Sequence, residues 1–178
     1  MHYVKKLLLL MLLMLLIVPI TSQATIHVTL ENVQQGIFPN LKLVQTPVVI
    51  SDAVREKMQD ASSVRQFFKA DHIYKTEKGD WLIIDEVVGK HEMIKYAVGI
   101  NADGTVRQIE IMDYVESYGY EVNELKWRSQ FVGKTAASPI KLNKDIDNIS
   151  GATLSSKHLS DGVKRVMVMY DLVLKTAK

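Results

Sequence analysis

Two turn signals in the middle of the sequence limit the folds that are open to this chain. The segment EKGD separates strand-forming runs at 73–76 and 81–84, and the segment NADG separates a second pair at 94–100 and 105–112. Short turns that carry Gly beside Asp between such runs are typical of hairpins, whose strands are antiparallel. We therefore predict several antiparallel strands in the centre of the chain.

Helical patterns lie on both sides of these strands. Ser51 can cap one helix, and Asn123 can cap another that ends at Gly133. Residues 64–68 suggest a further helical turn whose two Phe side chains pack in the core. The last helix is predicted from apolar residues spaced by three and four positions, which are Leu159, Val163, Val166, Met167, Tyr170 and Leu174. The expected fold class is α+β, a single domain with an antiparallel sheet and flanking helices.

The N-terminal segment has the composition of an export signal. Lys5 and Lys6 precede an apolar run of 12 residues at 7–18, and small residues stand at Ser22 and Ala24. This pattern predicts a signal peptide at 1–24 that is cleaved after Ala24. The run is short for a membrane span, which needs about 20 residues. A retained membrane anchor is the alternative.

The division that follows from this is a signal peptide at 1–24, an N-terminal strand and helix region at 25–79, and the main part of the domain at 80–174.

Without the leader, 20 of the 22 Lys and Arg remain, against 20 Asp and Glu. A net charge near zero gives no electrostatic case for nucleic-acid binding. The absence of Cys excludes disulfides, zinc sites built on Cys and iron–sulfur clusters held by Cys.

Small and hydroxyl-bearing residues gather just before the last helix, in the segment SGATLSS at 150–156. Hydroxyls there can cap the helix by accepting hydrogen bonds from its first amides. The same free amides, with the positive end of the helix dipole, can instead bind a phosphate group. Gly151 permits unusual backbone angles and close approach of a ligand. Residue chemistry leaves both interpretations open, because no Walker or Rossmann glycine pattern is present.

The stretch DNISGATLSS at 147–156 resembles the flavin-attachment motif of the FMN-binding domain family. The family includes the C subunit of sodium-pumping NADH:quinone oxidoreductase, the G subunit of the Rnf complex and many small exported flavoproteins. The resemblance implies that FMN is joined to Thr153 by a phosphoester. It implies attachment by an FAD:protein FMN transferase that uses magnesium transiently, on the outer side of the cytoplasmic membrane. The cofactor-binding residues implied by the motif are Asp147, Ser150, Gly151, Ala152, Thr153, Ser155 and Ser156.

Weaker likeness extends upstream of the motif. The segment ESYGY at 116–120 resembles the family's Glu-Thr-Pro-Gly-Leu-Gly segment, although Pro and Leu are missing here. The resemblance implies contacts of Glu116 and Tyr120 with the flavin ring. Trp127 to Lys134 resembles a family segment that ends in Phe and Gly-Lys.

The function that this resemblance implies is electron transport. We expect an exported flavoprotein, periplasmic or on the extracytoplasmic face of the membrane, that carries electrons between a membrane reductase and an extracytoplasmic acceptor. The alternatives are a membrane-anchored subunit of a Rnf-like complex, and a non-redox binding or interaction module in which SGAT only caps a helix. The sequence shows no catalytic set for converting a substrate and no metal site: the zinc-protease pattern fails after His91-Glu92, and no closing Glu completes a calcium loop around Asp147.

Overall fold

The structure is a computed structural model that describes residue 3 and residues 25–176. Apart from Tyr3, the predicted signal peptide lies outside these residues, so its cleavage stays a prediction. Among the helices of the described part, none is both long and apolar enough to cross a bilayer.

One antiparallel sheet organises the molecule. Its strands are β1 (Ile26–His27), β2 (Leu43–Gln45), β3 (Ile73–Thr76), β4 (Trp81–Val88), β5 (Met93–Ile100) and β6 (Val106–Tyr114). They lie in the order β1-β6-β5-β4-β3-β2. Strands β2 to β6 therefore form a meander, and β1 pairs with β6 at the edge opposite β2. Both predicted hairpins are confirmed, and their turns place Gly79 and Gly104 at positive φ, 86° and 87°.

Four α-helices accompany the sheet in the described residues. They are α1 (Leu30–Ile37), α2 (Asp52–Ser62), α3 (Leu125–Arg128) and α4 (Thr153–Met169), and a π-helical turn at Tyr170–Leu174 follows α4. The α+β single-domain prediction is confirmed. Ser51 caps α2 as expected, by accepting a hydrogen bond from the Val54 amide. All six apolar residues predicted to form the stripe of the last helix are buried.

The two faces of the sheet are covered by different elements. Side chains alternate along a strand, so neighbouring residues of β4 point to opposite faces. Ile83 and Val87 lie in the large cluster that includes the apolar side of α4. Leu82 and Ile84 lie in a smaller cluster with Val33, Ile37 and Phe38 at α1. The site described below belongs to the α4 side.

Three local predictions are wrong or incomplete. Residues 63–68 are not helical, because Ser63 ends α2 in the left-handed conformation with φ of 59°. Phe68 is buried, but Phe67 is 73% exposed and stacks on the guanidinium of Arg55 rather than packing in the core. Helix α1 was not predicted, although Thr29 caps it through the Asn32 amide.

The helix predicted from Asn123 to Gly133 is also wrong in form. A 3₁₀ turn at Tyr120–Asn123, the four-residue α3 and a second 3₁₀ turn at Ser129–Phe131 replace it. Glu124, not Asn123, precedes α3, and no side chain caps it. Burial of Val122, Trp127 and Phe131 bends this segment onto the sheet, so tertiary packing overrides the helical periodicity.

The outer edge of β6 is closed mostly by irregular chain. β1 pairs only with its last two residues, Asp113 and Tyr114. Farther along, Val106 exchanges backbone hydrogen bonds of 2.8 Å with Gly133 and Lys134. The Arg128 guanidinium donates to the Ile109 carbonyl at 2.7 Å and pairs with Glu110 at 2.6 Å.

A buried ion pair joins α4 to β4. Arg165 and Asp85 are 2% and 4% exposed, and Nη2 of Arg165 lies 2.6 Å from both carboxylate oxygens of Asp85. Arg165 also donates to the Gln66 carbonyl at 2.7 Å, and the Tyr96 hydroxyl donates to Asp85 at 2.5 Å. Burial, followed by the charge of Asp85, raises the pKa of Tyr96 well above its usual range, so the phenol keeps its proton as a donor.

Candidate functional site

The segment SGATLSS forms the start of the longest helix in the described residues. Ala152 is the N-cap and Thr153 is the first residue of α4, and no side chain caps the first turn. The hydroxyl of Ser156 lies 3.0 Å from the Ala152 carbonyl and 3.1 Å from Oδ1 of Asn148, so these two acceptors share its one proton. The hydroxyl of Ser155 accepts a hydrogen bond from the Tyr114 hydroxyl at 3.3 Å. The capping interpretation is therefore not realised, and no hydroxyl of the described residues accepts from the first amides of α4.

The hydroxyl of Thr153 has a neighbour that sequence reasoning missed. Nδ2 of Asn148 donates to Oγ1 of Thr153 at 3.2 Å, and Oδ1 of Asn148 accepts from the Ser156 hydroxyl at 3.1 Å. Both Asn148 and Thr153 are exposed. The left-handed Gly151, with φ of 83°, turns the chain between them. Only the folded turn brings residues five positions apart into contact, and no pattern in the sequence marks Asn148 as its partner.

A cleft of about 310 Å³ opens beside the start of α4. Three segments form its walls: the turn between β4 and β5, the stretch after β6, and the SGAT segment. Its lining residues are Lys90, His91, Glu116, Ser117, Tyr118, Gly151, Ala152, Thr153, Leu154 and Ser155. The structure thus brings together five of the nine predicted site residues, at positions 116, 151, 152, 153 and 155. Lys90 and His91 come from a distant segment, so local sequence patterns did not indicate them. Tyr118 lies in the segment ESYGY, but only its neighbours Glu116 and Tyr120 were predicted.

Glu116 lines the cleft with its carboxylate engaged. Its Oε1 accepts hydrogen bonds from the backbone amides of Lys90, His91 and Glu92, the last two at 2.7 and 3.1 Å. Gly89 makes room for it, since a Cβ there would lie 2.4 Å from this oxygen. Burial raises the pKa of Glu116, but the three amides and the adjacent His91 lower it by more, and the net shift is downward. Glu116 therefore fixes the turn that carries Lys90 and His91, and its predicted contact with the flavin ring stays a prediction.

Close packing of two small residues joins the walls of the cleft. A Cβ on Gly119, which has φ of 86°, would lie 2.4 Å from the Cβ of Ala152 and 2.7 Å from the Tyr114 hydroxyl. Position 152 therefore takes a small residue, because the backbone of Gly119 packs against it. Gly151 differs, since a Cβ there would meet nothing within 4 Å. Its requirement is the left-handed conformation, and the space beside it is open to a ligand.

The remaining predicted residues lie near the cleft but do not line it. The Asp147 backbone is fixed on both sides, because its amide donates to Gln130 at 2.8 Å and its carbonyl accepts from the Trp127 indole at 2.9 Å. Ser150 is exposed, and Tyr120 is 44% exposed. Their contacts with a cofactor stay predictions.

The residues present fit a phosphate-bearing flavin. The first amides of α4 are uncapped, the Thr153 hydroxyl is exposed, and Gly151 leaves open space beside them. Lys90 and His91 add basic groups to the opposite wall. The cleft volume falls at the lower end of the range that is typical of small-molecule sites. An apolar side chain, Leu154, and an aromatic one, Tyr118, complete walls suited to a flat ring.

Comparison with protein families gives a match that covers the site. Residues 89–168 match the family model described as the FMN-binding domain. No curated protein is significantly similar in sequence. The matched region begins at the turn held by Glu116 and ends near the end of α4, so it contains the whole cleft. This match supports the FMN-binding domain family for residues 89–168, and FMN is the cofactor that this domain supports.

Proposed function

We propose that this protein is an exported electron carrier in which FMN is attached through a phosphoester to Thr153. The observation that carries the proposal is the position of Thr153. It is the exposed first residue of a 17-residue helix without a side-chain cap, and it lies in the wall of the cleft of an FMN-binding domain.

The proposed attachment is a balanced group transfer from FAD. Oγ1 of Thr153 forms a bond to the phosphorus on the FMN side of FAD. The P–O bond to the AMP half breaks, AMP leaves, and the hydroxyl proton passes to a base on the transferase. The helix dipole and the first amides of α4 favour the negative phosphodiester that results. Magnesium belongs to the transferase and is not retained by this chain.

The electron-carrying role rests on what the cofactor offers and on how open the cleft is. Bound FMN supplies one-electron and two-electron redox chemistry. Tyr118 and Leu154, at the cleft, are 74% and 45% exposed, so a partner can approach closely. A covalent link keeps the cofactor from being lost outside the cytoplasm. We propose a membrane reductase as the electron donor and an extracytoplasmic protein or small molecule as the acceptor.

Intact mass of the purified chain tests the attachment. The wild type and Thr153→Ala are produced with an active FMN transferase, and a known flavinylated protein serves as a positive control. We expect wild type alone to gain about 438 Da, the mass of FMN less water, and to keep its flavin fluorescence after denaturation. An unmodified but folded wild type, beside a modified control, would refute the covalent proposal.

A redox titration of the modified protein then tests the electron-carrying role. A reversible two-electron flavin transition, with oxidation by an added extracytoplasmic acceptor, is the expected result. A flavin that neither a reductant nor an electrode reduces in the folded protein would argue against it.

A further inference from the structure

Asn148 connects the proposed attachment residue to the second turn of α4. Its amide donates to Oγ1 of Thr153 at 3.2 Å and accepts from the Ser156 hydroxyl at 3.1 Å. A primary amide can donate through nitrogen and accept through oxygen at the same time. Ser156 is fully buried, so Asn148 reaches from a fixed point of the helix to an exposed hydroxyl.

We propose that Asn148 is a positioning residue for flavin attachment, which holds the Thr153 hydroxyl for attack and keeps its contact after the ester has formed. The inference rests on the proposed attachment of FMN to Thr153. It adds a residue that lies outside the cleft lining and outside the predicted site.

The direction of the hydrogen bond suits the nucleophile. A threonine hydroxyl has one proton and two lone pairs. When Asn148 donates to one lone pair, the other can meet phosphorus and the proton can go to the transferase. Within the described residues, Oγ1 of Thr153 has no other hydrogen bond. Because the side chain is exposed, this contact is what favours one of its χ1 rotamers over the others.

The product state also favours a donor at position 148. In the ester, Oγ1 bridges carbon and phosphorus and has no proton, so it can only accept. The amide N–H of Asn148 can keep its contact, with Oγ1 or with a neighbouring phosphate oxygen. A carboxylate at this position would lose its partner and would lie beside the negative phosphodiester. An amide is therefore compatible with both states, whereas a carboxylate suits only the free hydroxyl.

The test compares Asn148→Asp with Asn148→Leu as substrates of the purified transferase with FAD and Mg²⁺. Initial rates of adduct formation, read by intact mass over a range of chain concentrations, separate kcat from KM. We expect kcat to fall about tenfold or more in both variants, with KM changed less than about twofold. Asn148→Leu leaves Oγ1 without a donor, so the nucleophile is less well oriented. Asn148→Asp would bind the hydroxyl through its proton and would place a negative charge beside the phosphodiester as it forms. Asn32→Asp, the same change at an exposed position of α1 on the other face of the sheet, should behave as wild type.

Thermal unfolding separates positioning from loss of structure. Asn148→Asp keeps an acceptor for the Ser156 hydroxyl and adds a negative charge near the start of α4, where it is favourable. We therefore expect its Tm to be no lower than that of wild type while its kcat falls. A wild-type kcat for Asn148→Asp, or an equal fall for Asn32→Asp, would overturn the inference. A wild type that gains no adduct would overturn the attachment proposal and this inference with it.

Discussion

A single carboxylate organises one wall of the cleft. Glu116 reaches across to the turn between β4 and β5 and occupies the space that a side chain at position 89 would fill. Three converging amides donate hydrogen bonds to one of its oxygens. A neutral acceptor at this position would form weaker hydrogen bonds with them. The contacts of this carboxylate with the local backbone hold Lys90 and His91 in place at the site.

Stability should depend on the charge of Glu116 in an acid range. Its folded pKa is lowered, so the stabilisation is complete above the unfolded value of about 4.3 and is lost as the pH falls through the folded value. We expect Glu116→Gln to lower the free energy of unfolding by roughly 1–3 kcal/mol at pH 7, and this difference to shrink below about pH 4. Urea unfolding at several pH values measures it.

The exposed Glu56 provides the matched control. Glu56→Gln makes the same chemical change at an exposed position of α2. We expect its stability to follow that of wild type at every pH. A Glu116→Gln difference that stays constant down to pH 3 would contradict the assigned role of the carboxylate.

At the scale of elements, one buried ion pair fixes the axis of α4 on the sheet. Arg165 meets Asp85 of β4 three helical turns beyond Thr153, and it also binds the loop after α2 through Gln66. Gly162 allows the approach, because a Cβ there would lie 2.4 Å from the Tyr96 hydroxyl. The position of the start of α4, and with it that of the SGAT segment, therefore depends on this ion pair.

Removing one charge of the pair should be costly. Asp85→Asn leaves the guanidinium buried without a counter-charge, and we expect a loss of about 3–5 kcal/mol in the free energy of unfolding. The double variant Asp85→Leu with Arg165→Met removes both charges and should recover most of this loss. Urea unfolding of the single and double variants tests the prediction. A loss below about 1 kcal/mol for Asp85→Asn would show that water reaches the pair.

How well elements were predicted depends on whether their signals are local. The hairpins and α4 follow from turn glycines and from the spacing of apolar residues. The segment at 120–131 was misread, because contacts of Trp127 and Phe131 with the sheet decide its form. In the site, the motif indicated Thr153, whereas Asn148 and Lys90 are brought there by a left-handed turn and by strand pairing.

At the scale of the molecule, the region that matches the family is not a self-sufficient unit of the sheet. It begins at Gly89, whereas β4, the partner of β5 along all eight of its residues, precedes it. The boundary expected at 79/80 falls inside the hairpin of β3 and β4. Residues 25–79 also supply α1, which covers one face of the sheet.

We therefore expect a truncated chain of residues 80–178 to lose cooperative folding. It would lack α1 and α2 and would expose Leu82, Ile84, Ala97 and Met112, which α1 and its neighbours bury. Urea unfolding followed by circular dichroism, beside the chain of residues 25–178, measures this. A sharp, cooperative transition of the shorter chain would show that the first part is dispensable.

The closed outer edge of β6 has a consequence for contacts between copies of this chain. An unpaired strand edge is a template on which another chain can add a strand. In the described residues, Gly133 and Lys134 engage the outer edge of β6 at Val106, Arg128 engages it at Ile109, and β1 pairs with its last two residues. The opposite edge strand, β2, is only three residues long. Neither edge of the sheet presents a long unpaired strand, so we expect copies of this chain at high concentration not to join their sheets edge to edge.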